Sequence, residues 1–98
     1  MTKIPPFYLK LIPLNEEANK LPSFRWADDA IGKRHKLGGE PDYIQSKEVP
    51  ICPECRKEMI FYAQLDSLND EFCIADCGMI YIFICFDCNN VVSFIQSF

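Results

Sequence analysis

Four cysteines stand in two matched pairs, Cys52-Pro-Glu-Cys55 and Cys85-Phe-Asp-Cys88. A two-residue gap lets one tight turn aim both sulfurs at the same ion, and two such turns complete the tetrahedron that zinc prefers. The spacing therefore predicts one structural Zn²⁺ bound by Cys52, Cys55, Cys85 and Cys88. Zinc is favoured over iron, although a tetrahedral sulfur site suits either metal.

The predicted metal site has no place for a substrate. Four protein thiolates fill a tetrahedral coordination shell, so the ion stabilises structure and does not perform hydrolysis. The lone histidine, His35, has no evident cysteine or acid partner for nucleophilic catalysis. The remaining acidic candidates are interpreted as solvated loop carboxylates: Asp66, Asp70, Glu71 and Asp76. The sequence therefore predicts a protein without enzymatic activity.

Two further cysteines, Cys73 and Cys77, are separated by three residues in a polar segment. Two interpretations of this pair are open. The two cysteines exchange with the ligands of the metal site, or they pack as small side chains. Buried or inert thiols are favoured, because free cysteine commonly packs as a small apolar residue. A second metal site built from this pair and His35 would lack a fourth ligand.

Trp26 and the Gly38-Gly39 pair are further candidates for a binding site. Trp26 is predicted to pack at the edge of the core rather than to stack on a ligand. The segment Lys36 to Ile44 has turn chemistry throughout. It is not a phosphate-binding loop, because neither the Walker nor the dinucleotide spacing surrounds its glycines. Whether Trp26 and this loop form a site is left open.

Three segments of the second half have the composition of antiparallel strands. Glu58 to Asp66 alternates in the way a strand with two largely covered faces would, with Phe61, Ala63 and Leu65 against Ile60, Tyr62 and Gln64. Met79 to Phe86 and Val91 to Phe98 are rich in β-branched and aromatic residues, and the turn Asp87 to Asn90 joins them. The polar stretch Ser67 to Gly78 interrupts the pattern.

The first half predicts smaller elements. Lys3 to Ile12 has the alternation of a strand, and the prolines near its start confine it to a sheet edge. Asn15 to Lys20 is a polar turn or a short helical piece. Ser23 to Ile31 is predicted to be a short helix that stops at Gly32. The fold class is therefore α+β and strand-rich, a zinc-ribbon-like antiparallel sheet with a short N-terminal strand and helix.

The 98 residues, 49% of them hydrophobic, fit a single domain over 1–98, with the zinc-ribbon portion at about 48–98. Six cysteines would suit a secreted disulfide scaffold, but prolines and lysines interrupt the first fourteen residues, so no export signal is predicted. The longest apolar run, Met79 to Phe86, is far shorter than the ~20 residues of a membrane helix. We therefore predict a cytoplasmic protein without membrane contact.

The charge balance disfavours nucleic acid as a partner. The formal net charge is −4 at pH 7, and four thiolates bound to one dication make it more negative. Affinity for nucleic acid comes largely from Lys and Arg that neutralise phosphates. The run Lys33-Arg34-His35-Lys36 is the one basic candidate, and it is interpreted as a solvated turn.

Several short motifs resemble a known family. They are His35-Lys36-Leu37-Gly38-Gly39-Glu40-Pro41-Asp42-Tyr43-Ile44-Gln45, Gln64-Leu65-Asp66 and Asp76-Cys77-Gly78, followed by the strand Met79 to Ile84. In this order they resemble the YwqG-like family of uncharacterised bacterial proteins, over roughly Trp26 to Phe98. The cysteine pairs are also similar to those of the eukaryotic programmed-cell-death-2 and ribosome-assembly chaperone group. The resemblance implies a strand-rich mixed fold, no known reaction, and in the chaperone branch the binding of a client protein.

The leading functional prediction is a noncatalytic, zinc-stabilised protein-interaction module whose sheet face or edge meets another protein. A chaperone-like and an immunity-like role both fit this prediction. The alternatives are an iron tetrathiolate electron-transfer protein resembling rubredoxin and a zinc-ribbon nucleic-acid binder. The turns lack the glycine-rich sequence after each second cysteine that a resemblance to rubredoxin needs. Association of identical chains is left open.

Overall fold

The computed structural model describes residues 3–98. Within that range the chain forms one five-stranded antiparallel sheet with the strand order β1-β2-β3-β4-β5 and one short helix. The elements are β1 (Phe7–Tyr8), α1 (Glu16–Asn19), β2 (Lys36–Leu37), β3 (Ile60–Asp66), β4 (Met79–Cys85) and β5 (Asn90–Gln96). The prediction of a strand-rich fold is confirmed. Across the same residues no helix has the length and apolar composition that crossing a membrane requires.

Strand β4 lies between β3 and β5 and has a sequence suited to that place. Its first, third, fifth and seventh residues are buried on the core side, and the three isoleucines between them are half-buried on the other side. β-branched and aromatic side chains favour a pleated, half-buried surface. The predicted strands of this hairpin are confirmed, and the observed ends are Cys85 and Gln96.

A β-bulge changes the alternation predicted for β3. Phe61 lies opposite Phe83 while Ala63 lies opposite Ile82, so Tyr62 has no partner residue on β4. One extra residue moves every later side chain to the other face of the sheet. The predicted grouping of Phe61 with Ala63 is therefore wrong, and the core side of β3 carries Phe61, Gln64 and Asp66.

The N-terminal elements agree with the sequence in part. β1 is an edge strand, as predicted, but it covers only Phe7–Tyr8. Helix α1 lies in the segment predicted to be a turn or a short helical piece, and the side chain of Asn15 accepts a hydrogen bond from the Ala18 N–H at 2.8 Å.

The helix predicted for Ser23 to Ile31 is wrong, because this segment is a series of bends and turns. Carboxylates take backbone N–H groups that a helix would use. The Arg25 N–H donates to Asp70 Oδ2 at 2.9 Å, and the Ala30 N–H donates to Asp28 Oδ1 at 3.0 Å. Such side-chain bonds compete with helical hydrogen bonding.

The core covers only one face of the sheet. It lies between the strands and the loop 40–49, and its buried residues are Cys52, Met59, Phe61, Met79, Tyr81, Phe83 and Cys85. Buried polar side chains attach the loop to the sheet. The Ile44 N–H donates to Gln96 Oε1 at 3.1 Å, and Tyr81 Oη donates to the Asp42 carbonyl at 2.8 Å. On the opposite face the side chains of Leu65, Val91 and Ile95 are exposed.

Candidate metal centre and open sheet face

The four cysteines of the two Cys-x-x-Cys pairs come together at one end of the sheet. Their sulfur atoms all lie within 4.8 Å of one another, and Cys55 Sγ is 3.6 Å from Cys85 Sγ. Cys52 and Cys85 are buried, whereas Cys55 and Cys88 are half-buried. A cluster of this kind can hold a metal ion.

The first pair lies in a tight turn before β3. The Arg56 N–H donates to the Cys52 carbonyl at 2.9 Å, and the Cys52 N–H donates to the Lys57 carbonyl at 2.9 Å. The turn closes with Arg56 in the left-handed region, at φ 65°. This is the position at which a glycine would be most easily accepted.

The second pair repeats this geometry in the hairpin that joins β4 to β5. The Asn89 N–H donates to the Cys85 carbonyl at 2.8 Å, and Asn89 has φ 58°. In each pair the fifth residue of the turn thus bonds back to the first cysteine and turns the chain with a positive φ. Two equivalent turns face each other and present their sulfurs to one point.

The arrangement fits a tetrahedral metal site. Zinc–sulfur bonds of about 2.3 Å place tetrahedral ligands roughly 3.8 Å apart, which is compatible with the sulfur separations in the cluster. The Asn90 side-chain amide also donates to Cys52 Sγ at 3.4 Å. Hydrogen bonds to ligand atoms orient them for the metal.

The environments of Cys52 and Cys88 shift their pKa values in opposite directions. The pKa of Cys52 is lowered to about 6, chiefly by the backbone N–H of Cys55 and then by the Asn90 amide. Burial raises the pKa of Cys88 far above its usual range, and neighbouring thiols raise it further. A thiol that coordinates a metal is deprotonated, so a bound dication would lower the raised pKa of Cys88.

The cluster leaves no coordination position for a substrate if all four thiolates bind one ion. Its donor set suits zinc and iron alike, so the geometry shows a metal-binding cluster without choosing the metal. An ion bound by all four sulfurs would crosslink the turn before β3 to the β4–β5 hairpin.

The other candidate ligands lie elsewhere. Cys73 and Cys77 are in the loop between β3 and β4, at the end of the sheet away from the metal cluster. Both are half-buried rather than buried as predicted. His35 is buried, its Nδ1 accepts a hydrogen bond from the Asp66 N–H at 3.0 Å, and its Nε2 lies 3.2 Å from the Gly32 carbonyl.

The basic run Lys33 to Lys36 is not the solvated turn that was predicted. Arg34 Nη2 lies 2.6 Å from Asp66 Oδ1, and the Asp66 side chain has no solvent exposure. Asp66 is thus a buried ion-pair partner and not a solvated carboxylate. Sequence spacing could not show this pair, because 32 positions separate its members. The one signal is the placement of Asp66 within an apolar strand.

Trp26 and the Gly38-Gly39 loop do not line a common site. The Trp26 side chain is 90% exposed, so the prediction that it packs at the core edge is wrong. It borders a shallow depression with Arg25 and Asp70, to which the glycines do not contribute. Gly38 has φ 72°, and a side chain there would collide with the Pro5 carbonyl. The fold therefore requires glycine at this position for structural reasons.

A cleft of about 450 Å³ lies beside the metal cluster, between the loop 39–49 and the start of β3. Its floor is apolar and includes Met59, Phe61 and Phe83. Charged groups at its rim pair with one another, Lys3 with Glu40 and Lys57 with Asp87. Lys47 and Glu58 line the cleft as well, so charged side chains surround its apolar floor.

The face of the sheet away from the core is almost free of polar side chains. Residues directly opposite each other in a sheet lie on the same face, and the observed register gives three cross-strand rows. We call this set the open face: Phe7, Leu37, Ala63, Ile82 and Ser93 in one row, Leu65, Ile80 and Ile95 in the second, and Ile60, Ile84 and Val91 in the third. Ser93 is its one polar member.

The open face is most exposed along β5. Val91 is 61% exposed and Ile95 is 56% exposed, and Phe7 at the opposite edge is 54% exposed. β5 pairs with β4 on one side only, so its other side presents unpaired backbone groups along Asn90–Gln96. An apolar face and an open strand edge therefore adjoin each other.

Comparisons with known proteins give one similarity. The chain is similar to an uncharacterised protein of Salmonella typhimurium, YpfL, with 38% identity over 65 residues. The match covers 63% of this chain and 15% of that protein, so the chain corresponds to a small part of that relative. No family model matches the chain, and no solved structure matches it. The resemblance to the YwqG-like family stays a prediction.

Proposed function

We propose that this chain is a noncatalytic protein-interaction module in which a structural zinc ion fixes one end of the sheet and the open face binds another protein. The observation that carries the proposal is the apolar open face beside the unpaired edge of β5. Sheet faces in folded proteins are ordinarily covered when they are apolar, because exposed apolar surface costs free energy.

The size of the open face supports binding. Strands of seven residues are roughly 23 Å long, and the three long strands alone are roughly 14 Å across, which gives a patch of roughly 300 Å² in projection. Contiguous apolar patches of a few hundred Å² on a folded chain commonly mark interaction sites. The neighbouring edge of β5 adds a second means of binding, since an extended partner segment can pair with its backbone.

The cluster supports the structural role of the metal. An ion bound to its four sulfurs crosslinks two turns that flank β3, β4 and β5, and Cys52 and Cys85 are themselves part of the hydrophobic core. Metal binding and folding of the sheet are therefore one process in this proposal. Zinc is proposed over iron because it holds such a site without redox chemistry, which an interaction module does not need.

A chaperone-like or immunity-like role is the narrower form of the proposal. Either role needs a surface that binds a protein and no catalytic group, which agrees with the open face and with the ion-paired rim of the cleft. The acidic balance of the chain would favour a partner with a basic surface around its apolar contact.

The experiment that tests the proposal compares matched variants. Cell lysate is passed over immobilised wild-type protein, over Val91→Lys/Ile95→Lys, which charges the open face, and over Leu14→Lys as control. Leu14 is 95% exposed and lies off the sheet. The proposal expects the same stoichiometric protein partner on the wild type and on the control, and its loss on the double variant.

Native mass spectrometry of the metal-loaded proteins completes the test. Zinc in equal amount in all three proteins would show that the substitutions leave the metal site intact. A partner retained by the double variant, or no partner above background on the wild type, would refute the interaction surface. Iron with a visible colour that bleaches on reduction would instead favour the rubredoxin-like alternative.

A further inference from the structure

The cysteines outside the metal cluster form a separate pair. Cys73 and Cys77 lie in the loop between β3 and β4, whereas the cluster lies at the other end of those strands. A seven-residue strand is roughly 23 Å long, so this pair cannot exchange with the cluster while the sheet is folded. The six cysteines thus divide into a group of four and an independent group of two.

The fold of the loop brings the backbone of Cys77 to the side chain of Cys73. The Cys77 N–H donates to Cys73 Sγ at 3.3 Å. The Gly78 N–H also donates to the Ile74 carbonyl at 2.7 Å, so the chain turns back on itself between the cysteines. Cys77 has φ 52°, a left-handed conformation that is uncommon for a residue with a side chain.

Two half-buried cysteines lie close to each other in this loop. The Cys77 nitrogen is 3.3 Å from Cys73 Sγ, a separation that a disulfide can span once the two side chains rotate. The two thiols differ in environment. Burial, followed by the neighbouring Cys73 sulfur, raises the pKa of Cys77, so Cys77 is the less favourable attacking group.

We propose that Cys73 and Cys77 are a reversible dithiol–disulfide pair that exchanges with low-molecular-weight disulfides such as oxidised glutathione. The Cys73 thiolate attacks one sulfur of the disulfide and releases one thiol, which leaves a mixed disulfide on Cys73. The Cys77 thiolate then attacks the Cys73 sulfur and releases the second thiol. Two protein thiols are oxidised and one small disulfide is reduced to two thiols.

The disulfide would fix a loop that contacts both neighbouring parts of the fold. The Cys77 carbonyl accepts a hydrogen bond from Arg34 Nη2 at 2.9 Å, and the Asp76 carbonyl accepts one from the Phe98 N–H at 3.1 Å. Oxidation of the pair therefore affects two hydrogen bonds. One joins Cys77 to Arg34 of the buried ion pair, and the other joins Asp76 to Phe98, just after β5.

The test uses the metal-loaded, full chain equilibrated with glutathione buffers of increasing oxidised fraction. The reaction is stopped with acid, the protein is alkylated after denaturation, and the peptide that contains both cysteines is weighed. The proposal expects this peptide to lose two hydrogens and both alkylation sites as the oxidised fraction rises, and to regain them with dithiothreitol. The four cluster cysteines should stay fully alkylated and serve as the internal control.

Two variants separate the steps. Cys77→Ser should accumulate a mixed disulfide with glutathione at Cys73, and Cys73→Ser should leave Cys77 mostly reduced. The proposal is overturned if both wild-type thiols stay alkylated at every buffer ratio, or if the wild-type chain stops at a mixed disulfide. It is equally overturned if the disulfide joins Cys73 or Cys77 to a cluster cysteine. The wild-type measurement decides even if a variant fails to fold.

Discussion

Asp66 is the residue on which the end of the sheet away from the metal cluster most depends. Its buried carboxylate accepts hydrogen bonds from the Gly32 N–H at 2.7 Å and from the N–H and guanidinium of Arg34. We expect Asp66→Asn to lower the free energy of unfolding by about 3–5 kcal/mol, because it leaves the Arg34 charge without its partner. Urea unfolding checks this, with the exposed Asp29→Asn as control. A loss below about 1 kcal/mol would contradict a central role for the pair.

The same carboxylate predicts a dependence on pH. Burial acts to raise the pKa of Asp66, but hydrogen bonds from Arg34 and Gly32 outweigh it, so the pKa lies below its usual value. A group with a depressed pKa in the folded state stabilises fully above its unfolded pKa and loses that contribution as pH falls through its folded pKa. The stability difference between wild type and Asp66→Asn should therefore be constant near neutrality and shrink below about pH 4. A difference that stays constant into strong acid would argue against this assignment.

At the scale of the element, the two cysteine turns predict a backbone effect. Arg56 and Asn89 both hold positive φ, at 65° and 58°. A left-handed conformation costs most residues about 1–2 kcal/mol, glycine little, and asparagine less than arginine. Arg56→Gly should thus stabilise the metal-loaded protein by up to about 1 kcal/mol, and Asn89→Gly by less. Thermal unfolding at a fixed metal excess measures both, and destabilisation by Arg56→Gly would show that the Arg56 side chain has a role of its own.

The elements that the sequence predicted well are those whose pattern is local. β4 and β5 are continuous runs rich in β-branched and aromatic residues, and the cysteine spacing depends only on tight turns, so both could be predicted from short windows. The bulge at Tyr62 and the absence of a helix over Ser23 to Ile31 could not. Both depend on partners distant in sequence, such as the Asp70 carboxylate that takes the Arg25 N–H.

The candidate sites also differ in whether they depend on a local sequence pattern or on residues distant in sequence. The metal cluster could be predicted because each half of it is a local motif. The open face could not, because the bulge is what places Ala63 and Leu65 on the same side as Ile60, and because no sequence pattern shows that one side of a sheet lacks a cover. The ion pair of Arg34 with Asp66 could not be predicted either, because Arg34 lies in a run of basic residues and its partner is distant in sequence.

In the whole molecule the core covers one face of the sheet, and a different group of residues stabilises each end of the sheet. The metal cluster joins the strands at one end, and the Arg34–Asp66 pair supports the other. A short chain whose core covers a single face of its sheet has a small free energy of unfolding. Stability of the whole sheet should therefore depend strongly on the metal.

Removal of the metal tests this dependence directly. We expect a chelator to abolish the strand signal in circular dichroism, because Cys52 and Cys85 belong to the same buried cluster as Phe83 and the core cannot lose them separately. Restored metal at about one hundred times its dissociation constant should return about 2.7 kcal/mol of stability. Cys85→Ser should resemble the chelated wild type without treatment, whereas Cys73→Ser should bind metal normally. If the chelated wild type unfolds at the same temperature as the metal-loaded protein, the core alone holds the sheet together and the ion is not structural.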